Sequence, residues 1–247
     1  MFGRSLVLLL GLALLFGALV VGCSDSDDDL GVTDSSTSVS TSAQSHTSTP
    51  PASVPATSET PSVTSTSSEE NALKQWDSPP EMIIDPAKSY RAIIHTNMGD
   101  LTVALHAEDA PITVNNFVFL SREGFYDGVI FHRVMKGFMI QTGDPTGTGF
   151  WGPGYNLPDE PVVGEYEFGT LAMANKGIPN SGGSQFFICE ADLSQRLPKN
   201  YTIFGHVMDN DDLVHEIASV PVTVQNGELS KPTVDVHIET IEIVEGD

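Results

Sequence analysis

Cysteine, cationic residues and long apolar runs are all scarce in this chain, and each scarcity excludes something. Cysteine occurs twice in 247 residues, at Cys23 and Cys189. Two thiols cannot build a disulfide framework, and they are too few for a structural zinc site of the usual four Cys/His ligands. Lysine and arginine total 11 against 33 acidic residues, a formal net charge of −22. A chain this acidic is repelled by a polyanion, which argues against non-specific nucleic-acid binding. Residues 147–154 are glycine-rich but lack the Lys-Ser/Thr ending of a phosphate-binding loop. What remains is a 40% hydrophobic fraction, enough for a core, in a length that allows one or two domains.

The one long apolar run covers residues 6–21, and Arg4 is the only charge before it. It is short for a membrane span of about 20 residues and suits a secretory signal. The run ends Val20-Val21-Gly22-Cys23. That ending resembles a bacterial lipobox, in which small residues precede a cysteine that is lipidated and becomes the new N-terminus. Residues 1–22 are therefore expected to be a lipoprotein signal peptide, with Cys23 as the lipidation site. An uncleaved anchor with an incidental cysteine is the alternative. Residues 24–70 then hold 24 Ser or Thr in 47 positions, with no aromatic residue. Such a segment buries too little surface to offset chain entropy, so residues 23–84 are expected to be a disordered linker. At roughly 5–6 Å × √n, some 50 flexible residues reach about 40 Å. The acidic cluster at Asp25 and Asp27–Asp29 reads as a solvated charge run rather than a metal site.

The folded domain is expected over residues 85–247. Residues 91–95 and 100–106 form apolar runs flanking Asn97-Met98-Gly99-Asp100, the pattern of a hairpin. Residues 111–123 open on Pro111, repeat apolar side chains at helical spacing and stop at Gly124, the pattern of a helix. Short apolar runs follow at 129–134, 138–141, 170–174, 185–189 and 203–207, with a second helix over 211–219 and a half-buried strand over 234–244. Many short strands, glycine-rich connections and only two helices predict a mainly β domain, an antiparallel barrel or sandwich.

Three stretches are more specific than a generic barrel. They are FHRVMKGFMIQTGD at 131–144, LAMANKGIPNSGGSQFFIC at 171–189 and YTIFGHV at 201–207. Together, in this order, they resemble the cyclophilins, the peptidyl-prolyl cis/trans isomerases, and the resemblance covers about residues 88–245. It implies a closed antiparallel eight-stranded barrel with two capping helices, here preceded by the disordered tether.

The residue chemistry agrees with that activity. Rotation about a peptide bond has a barrier of about 18–20 kcal/mol that comes from amide resonance. Only X–Pro bonds populate both isomers, within about 0.5–1 kcal/mol. A catalyst for this rotation requires no nucleophile, metal or redox centre, and no cofactor is expected. It requires an apolar pocket for the proline ring and a cationic donor at the prolyl nitrogen, where twisting localises a lone pair.

By resemblance, Arg133 is the catalytic arginine; a surface ion pair is its plainer role. Phe138, Met139 and Phe187 match the proline pocket, and read without the motif they would be ordinary core. Gln141 and Asn175 match groups that bind the substrate backbone. Ala174, Gln185, Leu197 and Tyr201 match further groove positions. His132 and Cys189 read as buried structural residues. The chain departs from the family pattern in two places. A frequent tryptophan is replaced by Gln195 or Arg196, which leaves the cyclosporin affinity of some members without support here. A frequent histidine is replaced by Tyr201, which keeps an aromatic wall with a polar tip. One extra residue falls near Ile178.

The sequence therefore predicts an exported monomer, lipid-anchored on the extracytoplasmic face of a bacterial membrane. It would isomerise proline-containing polypeptides and so assist the folding of exported proteins. The alternative is a chaperone or scaffold module that binds proline segments with little catalysis.

Overall fold

The computed structural model describes residues 73–246. The signal-like run, Cys23 and the Ser/Thr-rich stretch up to residue 72 lie outside the described residues. The elements run β1 (Tyr90–Thr96), β2 (Gly99–Leu105), α1 (Pro111–Arg122), β3 (Arg133–Met135), β4 (Met139–Thr142), β5 (Thr170–Met173) and β6 (Phe186–Cys189). They continue with β7 (Ile203–Val207), α2 (Asp211–Ala218), β8 (Val222–Gln225), β9 (Glu228–Pro232) and β10 (Ile238–Glu245). Eight strands form one curled antiparallel sheet in the order β10-β1-β2-β7-β5-β6-β4-β3. The mainly β fold with two helices is as the sequence predicts. The sheet is not the fully closed barrel that the resemblance implies: β10 and β3 are its two edges, and just outside both strands an isolated bridge pairs Ile130 with His237. Phe131 N–H donates to Val236 O at 2.9 Å beside it. Among the described residues no helix is long and apolar enough to cross a membrane.

The strands differ in what they bury. In β1 and β2 burial alternates, with Ala92, Ile94, Leu101 and Val103 inside, as a half-buried strand requires. In β5 and β6 every residue is buried. Ile140, Leu171, Phe186 and Ile188 belong to the main core. Met139, Ala172, Phe187 and Cys189 belong to a second apolar cluster with Tyr166, Leu193 and Ile203. Successive side chains of a strand point to opposite faces, so β4 and β6 carry a core face and an outer face at once. Helix α1 fills the main core with Val114, Phe117, Val118 and Leu120. Phe117 meets Phe186 edge-on, with ring centroids 5.5 Å apart, and Phe204 at 5.3 Å.

Long-range contacts finish the elements. No side chain at the N-cap residue Ala110 caps α1. Instead the Glu160 carboxylate accepts from Ile112 N–H and Thr113 N–H, both at 2.8 Å. That satisfies two orphan donors and places a negative charge at the positive end of the helix. Gly143, at φ +90°, follows β4 where a Cβ would lie 2.3 Å from Ser184 O, so no other residue fits.

Two features were not foreseen. The first is the hairpin β8–β9, closed by Asn226 (φ 52°) and Gly227 (φ 83°). Asn-Gly between alternating residues is a strong hairpin signal, and it is legible in VTVQNGEL. The second lies before the expected domain start at residue 85. Trp76 N–H donates to Pro153 O at 2.9 Å. Its ring packs edge-on against Phe119 at 5.2 Å and near Phe125 at 6.0 Å. Residues 73–84 are thus a strap on the body, and packing begins ahead of that boundary.

Candidate active site

The outer face of the sheet carries the site because cross-strand register aligns its residues. Arg133 on β3 lies opposite Gln141 on β4, Gln141 opposite Phe187 on β6, and Phe187 opposite Ala172 on β5. Directly paired residues share a face, so a cation, an amide and an aromatic ring stand in one row. Over this row lies a cavity of about 100 Å³. It is well below the ~300–1,000 Å³ of a site for a drug-sized ligand and is on the scale of one small ring.

The cavity floor is apolar. Met139 is 1% and Phe187 5% exposed. Phe138, Leu197 and Tyr201 form its sides. Tyr201 meets Phe187 edge-on, with centroids 5.4 Å apart and planes at 84°. Arg133, Gln141 and Asn175 supply the polar rim, and Ala174 lines it between them. Nine of the ten groove residues expected from the sequence therefore surround one cavity. The tenth, Gln185, lines a larger cleft of about 820 Å³ alongside, which also includes Gln141, Ala174 and Asn175.

The polar groups are linked. Arg133 Nη1 donates to Gln141 Oε1 at 3.2 Å, Gln141 Nε2 to Gln185 Oε1 at 3.0 Å, and Gln185 Nε2 to Trp151 O at 2.9 Å. Asn175 Nδ2 donates to Asn200 O at 2.8 Å, and its Oδ1 accepts from Gly177 N–H at 3.0 Å. Its side chain is thus occupied in shaping the loop.

Three residues matter here that the sequence reading did not single out for the site, and a fourth, Arg196, that it names only as a departure from the family pattern. Glu228 pairs with Arg133 from the far hairpin, at 2.6 Å to Nε and 2.8 Å to Nη2. Arg196 stands over the Phe138 ring, its guanidinium carbon 5.4 Å from the centroid, and donates to Gly137 O at 2.7 Å. It is one of the two residues, Gln195 or Arg196, that the sequence sets at the family's tryptophan position, and it stands as a cation on an aromatic face. Asp144 is fully buried and accepts backbone N–H bonds from Thr146, Thr148, Gly149, Phe150 and Trp151. Burial alone would raise its pKa, but the hydrogen bonds from Thr146, Trp151 and Gly149 outweigh it and hold the carboxyl below its usual value. Asp144 thereby moulds the loop walling the larger cleft. Gln75, from the strap, lines the same cleft.

Two titratable neighbours are buried. His132 is 3% exposed, and burial lowers its pKa to about 4. Cys189 is fully buried, and burial pushes its thiol up to about 12, as expected of an inert structural cysteine.

Comparison with known proteins now identifies the geometry. The family model of the cyclophilin type peptidyl-prolyl cis-trans isomerase/CLD matches residues 91–243. The chain is a cyclophilin. It is 40% identical over 155 residues to peptidyl-prolyl cis-trans isomerase-like 3 of Homo sapiens, covering 61% of this chain and 93% of that one. It is 42% identical over 176 residues to peptidyl-prolyl cis-trans isomerase A of Mycobacterium tuberculosis, covering 64% of this chain and 94% of that one. Among solved structures it resembles a Cryptosporidium parvum cyclophilin with TM-score 0.58 and 37% identity, covering 64% of this chain and 99% of that chain. A second structure of that cyclophilin was determined in the presence of the dipeptide Ala-Pro. This cyclophilin is thus an isomerase of the peptidyl-prolyl class, and its cavity lies within the matched region.

Proposed function

We propose that this cyclophilin isomerises X–Pro bonds of exported polypeptides by holding the proline ring against Met139 and Phe187 while Arg133 stabilises the twisted amide. The observation that carries this reading is Arg133 at the rim of an apolar cavity the size of one ring. In the ground state, amide resonance delocalises the nitrogen lone pair and gives the C–N bond its double-bond character. Rotation breaks that overlap and leaves a lone pair on the prolyl nitrogen. An N–H of Arg133 directed there gains strength only as the lone pair forms, so it favours the transition state over both isomers. No bond is made and no proton is transferred. Phe138, Leu197 and Tyr201 confine the ring, and Gln141 together with the main chain of Ala174 and Asn175 orients the substrate backbone on either side.

Arg133→Ala should lower kcat/KM by about 10²-fold, on the scale of losing one transition-state donor. A coupled assay on a short X–Pro peptide measures this. Activity equal to wild type would remove the catalytic role of Arg133 and leave a module that only binds proline segments.

The proposal extends to location. Residues 1–22 direct export, Cys23 carries the lipid, and the Ser/Thr-rich linker holds the monomeric isomerase off the membrane. The supporting features are the apolar run ending at Cys23 and the abrupt change in composition after it. Prolyl isomerisation takes tens of seconds uncatalysed, so a folding catalyst has a use where exported chains emerge.

A further inference from the structure

Arg133 is not a free cation. Its Nε donates to Glu228 Oε2 at 2.6 Å and its Nη2 to Glu228 Oε1 at 2.8 Å. This is a side-on, bidentate guanidinium–carboxylate pair, the geometry that fixes the plane of an arginine most firmly. The two residues are 95 positions apart, and each side chain is 35% exposed. The hairpin β8–β9 makes the contact. Its left-handed Asn226-Gly227 turn sets Glu228 as the first residue of β9, and β9 packs along β3, which carries Arg133.

The direction of approach matters more than the pairing itself. Arg133 lines the small apolar cavity, whereas Glu228 does not. The carboxylate therefore holds the Nε–Nη2 edge from outside the cavity. Gln141 Oε1 takes one N–H of Nη1 at 3.2 Å. A guanidinium has five N–H groups. Three are thus committed to oxygens that fix its plane, and the remaining two lie on the terminal nitrogens, with Nη1 also 4.0 Å from Met139 Sδ on the cavity floor. The Arg133 guanidinium carbon also lies 5.8 Å from the Phe138 centroid, so the ring supports it from a further side. An unpaired arginine on its flexible stem would sample many rotamers, few of them directed into the cavity. The guanidinium in turn holds the Glu228 carboxyl below its usual value, against the opposing effect of partial burial.

We propose that Glu228 is a positioning residue of this isomerase, which fixes the Arg133 guanidinium so that its free N–H groups face the proline cavity. The role rests on Arg133 being the catalytic donor. Glu228 acts through Arg133 and does not touch the substrate. Its carboxylate takes up the entropy cost of ordering the arginine before substrate arrives.

The test compares wild type, Glu228→Ala, Glu228→Gln and Arg133→Ala on a short X–Pro peptide, with a Tm for each. Glu228→Ala should lower kcat by about three- to tenfold, the effect of releasing one rotamer-rich side chain. KM should stay within about twofold, because Glu228 lies outside the cavity, and Tm within about 2 °C, because the pair is half exposed. Glu228→Gln should not rescue, since its amide sets an N–H against an N–H of the guanidinium. The Arg133 Nε–H resonance in ¹⁵N spectra should exchange slowly with water in wild type and rapidly in Glu228→Ala. A Glu228→Ala kcat equal to or above wild type overturns the positioning role while leaving Arg133 catalytic. A loss confined to KM or Tm also overturns it. Wild-type activity in Arg133→Ala instead overturns the catalytic reading beneath it.

Discussion

His132 adjoins Arg133 in sequence but is buried, and its two ring nitrogens have no hydrogen-bond partner among the described residues. Burial disfavours the charged imidazole and lowers the pKa from 6.5 to about 4. The unfolded chain therefore binds more protons than the native state between these two values. Stability is lost as pH falls from about 6.5 to about 4, by about 2 kcal/mol between pH 7 and pH 5. His106, whose pKa burial also lowers, acts with the same sign. Asp144 and Glu228 have lowered carboxyl pKa values, so their contributions are lost only at lower pH, as each carboxyl is protonated. Urea midpoints at pH 7 and pH 5 measure the slope, which His132→Leu should flatten markedly. An unchanged slope in that variant would assign the pH dependence elsewhere. The sequence marks His132 as structural from its lone position. It does not show that the ring is unpaired, because that depends on which distant groups pack around it.

At the scale of elements, the strap before β1 is the least expected part. Its composition continues a polar linker, and the lone Trp76 carries no periodicity by which to recognise it. The structure sets that indole against Phe119 and Phe125, and the main-chain oxygen of Trp76 is 2.5 Å from where a Cβ on Gly154 would lie. Trp76→Ala should destabilise the domain by about 2 kcal/mol, as expected from the apolar area and edge contacts removed. Chemical denaturation measures this, and a change within about 0.5 kcal/mol would show that the strap rests on the body without supporting it. Other elements were more legible. The runs predicted as β1, β2, β7 and the two helices differ from the observed bounds by one residue at most ends. For β6 the sequence shows only a continuous apolar run. Both faces are buried there, so the two-residue alternation that would separate core from groove is absent. Phe187 consequently reads as core until the sheet places it on the outer face.

For the whole molecule the acidic excess is unevenly shared. Residues 1–22 contribute +1, residues 23–80 contribute −8 and residues 81–247 contribute −15. Loss of the first 22 residues would deepen the charge to −23 before any lipid is counted. A body this acidic is repelled by anionic lipid, so attachment would depend on Cys23 rather than on its surface. Cys23→Ser should shift the protein from the membrane pellet to the soluble fraction, and wild-type protein found soluble would overturn the lipid anchor. The sequence by itself determined the family, through three ordered motifs whose spacing is set by the strands they form. It also determined the mainly β class, because local propensity and periodicity are written residue by residue. Only the tertiary structure decided that Glu228 meets Arg133, that Asp144 gathers five backbone donors, and that Trp76 belongs to the body. The ion pair and the strap are contacts between distant segments, and the Asp144 loop depends on a buried setting. Nothing in the sequence of either partner encodes such a contact. It exists only once the sheet has curled and brought the segments together.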